Sequence, residues 1–177
     1  MSDETENQPF VLRLPLHMFV EKIGQVSIRL ATNDDCSSVT KLFVSVLAEH
    51  GLQPDFQTTD SDLRDIEASY LKNGGLFEIV EDEESNILGS LGLFPIDERT
   101  CELRKMYFIP RVRGFGLGKR VLELVVAQAR ELGFKKIILE TSSKLIAANR
   151  LYTSFGFTPL ASDHLAARAD QAYKLDL

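Results

Sequence analysis

Cysteine is scarce in this chain: among 177 residues only Cys36 and Cys101 carry a thiol. They match no metal-ligand spacing and cannot build a framework of several disulfides, so a reducing compartment is expected. Histidine is as sparse. His17, His50 and His164 fall at no spacing suited to a metal or a catalytic triad, and each reads as a surface residue. No apolar run approaches the ~20 residues of a membrane span, so no membrane partner is expected. Basic residues are in deficit, 20 Lys and Arg against 26 Asp and Glu, a net charge of −6. That balance argues against a general nucleic-acid binder and suits a cationic amine as partner. The opening Met1-Ser2-Asp3-Glu4-Thr5-Glu6 is acidic, and Arg13 and Pro15 interrupt the next apolar stretch. A secretory signal has the opposite pattern, so the expected location is cytoplasmic. Repeats, low-complexity tracts and linkers are lacking too. One domain is expected over residues 26–177, behind a partly disordered extension of residues 1–25.

What the chain does have is a glycine-rich turn, Arg113-Gly114-Phe115-Gly116-Leu117-Gly118-Lys119. Ahead of it, Glu102 to Ile109 is a β-branched and aromatic run stopped by Pro110, which predicts a strand. Behind it, Val121, Leu122, Leu124, Val125, Val126, Ala129 and Leu132 form a helical stripe, with Gly133 placed for a left-handed C-terminal cap. A strand–glycine turn–helix junction exposes unpaired backbone N–H groups at the positive end of a helix dipole. That is a seat for phosphate or pyrophosphate. Counting disfavours the two commonest versions. The position five before Gly118 is Arg113, and Lys119 is followed by Arg120, so the P-loop pattern fails. The glycines fall as G-x-G-x-G, so the dinucleotide fingerprint G-x-G-x-x-G is strained, although Glu140 lies near its acidic position.

Elsewhere, Val26–Ala31 predicts a first strand. Thr32 or Asp34 caps a helix carrying Val39, Leu42, Phe43, Val46 and Leu47 as far as Gly51. Asp60 or Ser61 starts a second helix through Leu71, and 76–80 with 87–93 make a hairpin. A buried strand at 135–140, a helix near 144–155 and a closing strand at 173–175 complete the order β α α β β β α β α β, a mixed α/β sheet. Phe10 to Ile23 reads either as an extra strand or as a cover for an apolar face or partner subunit.

The order R-x-x-G-x-G (Arg113, Gly116, Gly118) between strand and helix resembles the acyl-CoA signature of the GNAT N-acetyltransferase superfamily. Ala148 to Phe157, with Tyr152 ahead of Gly156-Phe157, is similar to that family's late helix, and Glu102 stands where histone-acetylating members place a catalytic glutamate. The resemblance implies an acyl-CoA N-acyltransferase fold, a central, mostly antiparallel sheet flanked by helices, whose two early helices wall the acceptor site. It implies acetyl-CoA as cosubstrate, held by Gly114, Phe115, Gly116, Leu117 and Gly118, by the charges of Arg113 and Lys119, and by the backbone of Met106, Tyr107 and Phe108. The family's usual asparagine is replaced by Leu145, which leaves Asn149 as the nearest candidate for that contact.

Acetyl transfer to an amine requires removal of a proton from the amine, donors for the acyl oxygen, and a proton for the departing thiolate. Glu102 is the candidate base, with Glu140, Glu78 and Asp97 as alternatives. Strand alternation places Glu102, Arg104, Met106 and Phe108 on one face and Leu103, Lys105, Tyr107 and Ile109 on the other. A competing reading makes Glu102 a strand carboxylate paired with Arg104. Tyr152 is the candidate acid, or else a core tyrosine beside Phe155 and Phe157. The expected activity is acetylation of a small-molecule primary amine by direct attack on the thioester. Its rivals are a protein acetyltransferase, a non-catalytic acyl-CoA module and a nucleotide-binding α/β protein. A homodimer through the closing strand or the 10–23 segment is a further expectation.

Overall fold

The computed structural model describes residues 26–177; the 10–23 segment and His17 lie outside the described residues. Seven strands form one sheet: β1 (Val26–Leu30), β2 (Leu76–Asp82), β3 (Ile87–Pro95), β4 (Thr100–Phe108), β5 (Lys136–Thr141), β6 (Thr158–Pro159) and β7 (Gln171–Asp176). Their spatial order is β1-β2-β3-β4-β5-β7-β6, and every neighbouring pair is antiparallel except β4 and β5. The helices are α1 (Cys36–Glu49), α2 (Ile66–Ser69), α3 (Leu117–Glu131) and α4 (Ile146–Phe155).

Side-chain alternation explains why the sheet needs helices on both faces. In β2, Leu76 and Val80 join one apolar cluster with Val121, Leu122 and Val125 of α3. Phe77 and Ile79 join the other, with Val39, Phe43 and Leu47 of α1 and Tyr70. Each fully buried side chain of this size contributes about 1.5–3 kcal/mol of apolar transfer energy. From Leu76 to Val80 the strand therefore reads as an almost continuous apolar run, interrupted only by Glu78.

The elements follow the expected order, with four local differences. Residues Asn33–Asp35 form a 3-10 turn ahead of α1, because the Asp35 carboxylate turns back to Arg29 (2.9 Å) and to the Thr32 N–H (2.9 Å). The single helix expected from 60 to 71 is broken into a 3-10 turn Ser61–Arg64, the short α2, and a turn Leu71–Asn73. Asp65 caps the Ala68 N–H at 2.8 Å, while Asp60 and Asp62 point inward to charged partners, so side-chain bonding competes with a continuous helix. Strand β6 was not expected. Leu132, read as part of the α3 stripe, is 46% exposed at the cap.

The alternation expected for β4 fails at its centre. Gly92 pairs with Arg104 but Ser90 pairs with Tyr107, so β4 carries one extra residue there, a β-bulge, and Lys105 takes φ +55°. Arg104 and Lys105 consequently both reach toward the α1 side. Met106 and Phe108 pack with the α3 cluster and Tyr107 with the α1 cluster, the reverse of the parity that simple alternation assigns.

Candidate active site

The parallel pairing of β4 with β5 spans only three residues, Thr100↔Lys136, Cys101↔Ile137 and Glu102↔Ile138. Both strands continue past that point but diverge, and the backbone edge of β4 that faces β5 no longer has a strand partner. Such groups must bond to water or to a ligand. Between the diverging strands lies a cleft of about 610 Å³, lined by Glu102–Phe108, by Glu140–Ser142, by Ala147, Ala148, Leu151 and Tyr152 of α4, and by the glycine turn.

That turn is shaped for backbone contact. Gly114 (φ +82°) and Gly116 (φ +83°) occupy left-handed conformations, and Gly116 caps α3 without a side chain that would fill the helix end. A Cβ on Gly118 would lie 3.4 Å from Leu151, so the glycine lets α3 and α4 approach closely. Arg113, Gly114, Gly116, Gly118 and Lys119 line the cleft; Leu117 is buried in the core and Phe115 is outside the lining. The first turn of a 15-residue helix thus opens onto the cleft, an arrangement that favours anions. Arg113 braces the turn: its Nε donates to the Phe108 carbonyl at 2.8 Å and its Nη atoms to Glu49 at 2.7 and 3.2 Å. The Arg113 bond also holds the Glu49 carboxyl below the usual carboxylate range.

Glu102 stands at the fork and lines the cleft, and it is also paired with Arg104, whose Nε donates to it at 2.7 Å. The structure thus places Glu102 at the cleft and pairs it with Arg104 at the same time. Of the alternative bases, only Glu140 lines the cleft, where it accepts the Ala166 N–H at 2.9 Å. Glu78 lies on the α3 side, hydrogen-bonded to Gln128, and Asp97 caps the β3–β4 turn through the N–H groups of Arg99 and Thr100. Tyr152 is buried with its ring 5.7 Å from Phe157, and it lines the cleft. Its hydroxyl has no hydrogen-bond partner among the described residues, and burial pushes its pKa above the ordinary tyrosine value. Asn149 is outside the lining; its Nδ2 donates to the Ser142 carbonyl at 2.9 Å and ties α4 to the end of β5. Cys101 is buried, with its thiol pKa pushed up to about 12 by desolvation, which makes it inert as a nucleophile.

The same cleft holds a charged group that the sequence reading missed. Arg168, from the segment before β7, donates to both oxygens of Asp60 at 2.8 Å, and Lys105 Nζ lies 3.0 Å from the same carboxylate. Burial raises the Tyr107 pKa, and the nearby Arg168 charge opposes that rise. Asp60 and Arg168 are 108 residues apart, so no local pattern could have joined them. Thr59, His50, His164, Leu145 and Leu165 also line the cleft, which places two of the three histidines there. Among the described residues no group of His, Cys, Asp and Glu could hold a metal, and no helix is long and apolar enough to cross a membrane.

The fold is shared with known proteins. The S. aureus acetyltransferase of the GNAT family superposes with a TM-score of 0.79 at 25% identity, covering 85% of this chain and 98% of that one. A GNAT superfamily phosphinothricin acetyltransferase from Sinorhizobium meliloti, in complex with acetyl-CoA, shares the fold with a TM-score of 0.66 at 20% identity, over 86% of this chain and 88% of that one. In sequence, the chain is 36% identical over 135 residues to the uncharacterized N-acetyltransferase YjgM of Escherichia coli, covering 73% of this chain and 80% of that protein. The model of the Acetyltransferase (GNAT) family matches residues 40–157, from inside α1 to the turn after α4, and so takes in the fork, the glycine turn and Tyr152. The chain belongs to the GNAT acetyltransferase family.

Proposed function

We propose that the cleft binds acetyl-CoA and transfers its acetyl group to the primary amine of a small molecule by direct attack on the thioester. The observation that carries this reading is the fork itself: one cleft gathers the unpaired edge of β4, the glycine-capped end of α3, Glu102 and Tyr152. Acetyl-CoA would supply the activated acyl thioester. The N–H groups after Gly116 would hold its pyrophosphate, with Arg113 keeping the turn in shape and Lys119 adding charge at the mouth. The backbone of Met106, Tyr107 and Phe108 runs along the open edge, where donors can meet the acyl oxygen. Glu102 takes the amine proton, directly or through water, and Glu140 is the second carboxylate within the same lining. Tyr152, whose proton burial retains, delivers a proton to the departing thiolate.

Support for a small acceptor comes from the far end of the cleft. Thr59, Leu165, Ala166 and Arg168 line it, and Arg168 is latched to Asp60. An amine on a compact molecule fits behind such a wall better than a folded protein's side chain. The test is a thermal-shift plate with acetyl-CoA, CoA, ATP and NAD, followed by thiol-release assays on panels of amines and peptides. A ligand at 100 times its dissociation constant adds about 2.7 kcal/mol, a rise of roughly 5–10 °C. Stabilisation by the CoA species alone, with turnover on small amines, supports the proposal. Turnover confined to peptides moves the acceptor to proteins, binding without turnover on any amine leaves an acyl-CoA module, and stabilisation by ATP or NAD alone overturns the reading.

A further inference from the structure

Lys105 occupies a backbone conformation ill suited to its side chain. Its φ of +55° is one that L residues other than glycine seldom adopt, and it sits where β4 advances three residues against two in β3. Glycine would relax that position, so the lysine side chain must compensate for the strain. The residue is clamped at both ends. Its carbonyl accepts the hydroxyl of the fully buried Ser90 at 2.7 Å. Its ammonium, on a side chain only 3% exposed, lies 3.0 Å from Asp60 and 3.2 Å from Asp62, and 5.4 Å from the centre of the Phe43 ring. Asp60 has no exposed surface, and its two oxygens also receive Arg168.

Three separate stretches of the cleft wall therefore meet at one carboxylate: the β4 bulge, the loop before α2, and the segment before β7. A buried ion pair is a poor source of net stability, because desolvation offsets the attraction. Its geometry is nonetheless directional, and here that direction is imposed on the backbone leading into Met106 and Tyr107.

We propose that Lys105 and Asp60 are positioning residues for acyl transfer: the pair holds the bulge in its left-handed turn, which aims the β4 edge at the acyl group. Through Arg168 the same carboxylate fixes the acceptor-side wall against that edge. The inference rests on the proposed acetyltransferase reaction for its kinetic part and on the ligand-free fold for the rest.

The experiment compares Lys105→Met, Lys105→Arg, Asp60→Asn and the Lys105→Met/Asp60→Asn pair with wild type. Hydrogen exchange of segments 103–109 and 161–170 is followed without ligand, acetyl-CoA affinity is measured by calorimetry, and kcat and KM are measured with the best amine. Lys105→Met is expected to speed exchange in both segments and to lower kcat about 10–100-fold, the scale of a misplaced reacting group, with affinity and KM within about threefold. Lys105→Arg is expected to recover most of kcat, and the double variant to be no slower than the worse single one. Wild-type kcat in a folded Lys105→Met protein, or unchanged exchange in both segments, overturns the proposal. Should Lys105→Met fail to fold, the double variant, which lacks the unbalanced lysine–aspartate charge, is read by the same criteria. If wild type neither binds acetyl-CoA nor acetylates an amine, the functional reading fails, and the ligand-free exchange alone decides whether the pair holds the bulge.

Discussion

Arg104 donates from Nε to Glu102 at 2.7 Å, so the candidate base and its nearest cation are held together at the point where β4 leaves β5. The guanidinium is itself fixed over the Phe94 ring, 3.8 Å from its centroid. Glu102→Gln is expected to lower kcat 10²–10⁴-fold, the range for a lost general base, with little change in KM. Arg104→Gln should cost less, and the double variant should match Glu102→Gln because the arginine acts through the carboxylate. Steady-state kinetics of the three variants check this; additive losses would assign Arg104 a separate role.

Tyr152→Phe keeps the ring packed against Phe157 and removes a hydroxyl with no hydrogen-bond partner among the described residues. The melting temperature should therefore barely change, while kcat falls 10²-fold or more if this hydroxyl is the acid. Burial raises the phenol's pKa, so the wild-type rate should show no alkaline loss from Tyr152 up to pH 9. An unchanged kcat in the phenylalanine variant would return Tyr152 to a packing role.

Gly116 caps α3 at φ +83°, with no neighbouring atom within 4 Å of where a Cβ would stand. Space is not the obstacle to Gly116→Ala; backbone conformation is, at about 1–2 kcal/mol. Either the fold absorbs that cost or the turn changes shape. Thermal melts and acetyl-CoA titration together separate the outcomes: a melting loss with intact affinity, or weaker binding by about five- to tenfold with a smaller melting loss.

Glu78 and Gln128 form a buried pair in which Gln128 Nε2 donates to one carboxyl oxygen at 2.6 Å. The other carboxyl oxygen and the Gln128 carbonyl are both buried without partners among the described residues, a situation that a proton on Glu78 would relieve. Desolvation raises the Glu78 pKa, and the Gln128 bond opposes that shift only in part. A folded state with a raised carboxyl pKa binds more protons than the unfolded chain. Its stability is thus fully present below the unfolded value, about 4.3, and falls as pH rises through the folded value. Glu78→Gln should match wild type in melting temperature near pH 4.5 and exceed it at pH 7–8. A gap that stays constant across this range would show that Glu78 titrates alike in both states.

The sequence made the strand–turn–helix at 100–131 legible because three local signals coincide there: a β-branched run, glycines where φ is positive, and a helical apolar stripe. The positive φ of Gly133 and Gly156 fulfils the same kind of local rule. What stayed hidden depends on partners distant in the chain. The parity of β4 breaks at Lys105 because Asp60 and Asp62 draw its ammonium across from a loop more than 40 residues earlier. The helix expected at 60–71 fails for the same reason, since its first acidic residues serve Lys105, Arg168 and Tyr70 rather than the helix end. Asn149, chosen as the nearest asparagine to a family position, binds Ser142 instead of lining the cleft. Glu78 and Asp97 looked equivalent to Glu140 as carboxylates; only the path of the sheet separates them.

Strand β7 lies between β5 and β6 in the sheet, although it follows both in the chain. Without residues 168–176, the only strand pairing of β5 is its three-residue contact with β4, and Asp60 lacks Arg168. A chain that stops short of these residues carries the glycine turn, Glu102 and Tyr152 but lacks the strand that pairs along the whole of β5. Removing residues 168–176 takes away the β7 ladder and the Arg168 latch together, so a fragment ending before residue 168 is expected to lose stabilisation by acetyl-CoA as a whole rather than in part.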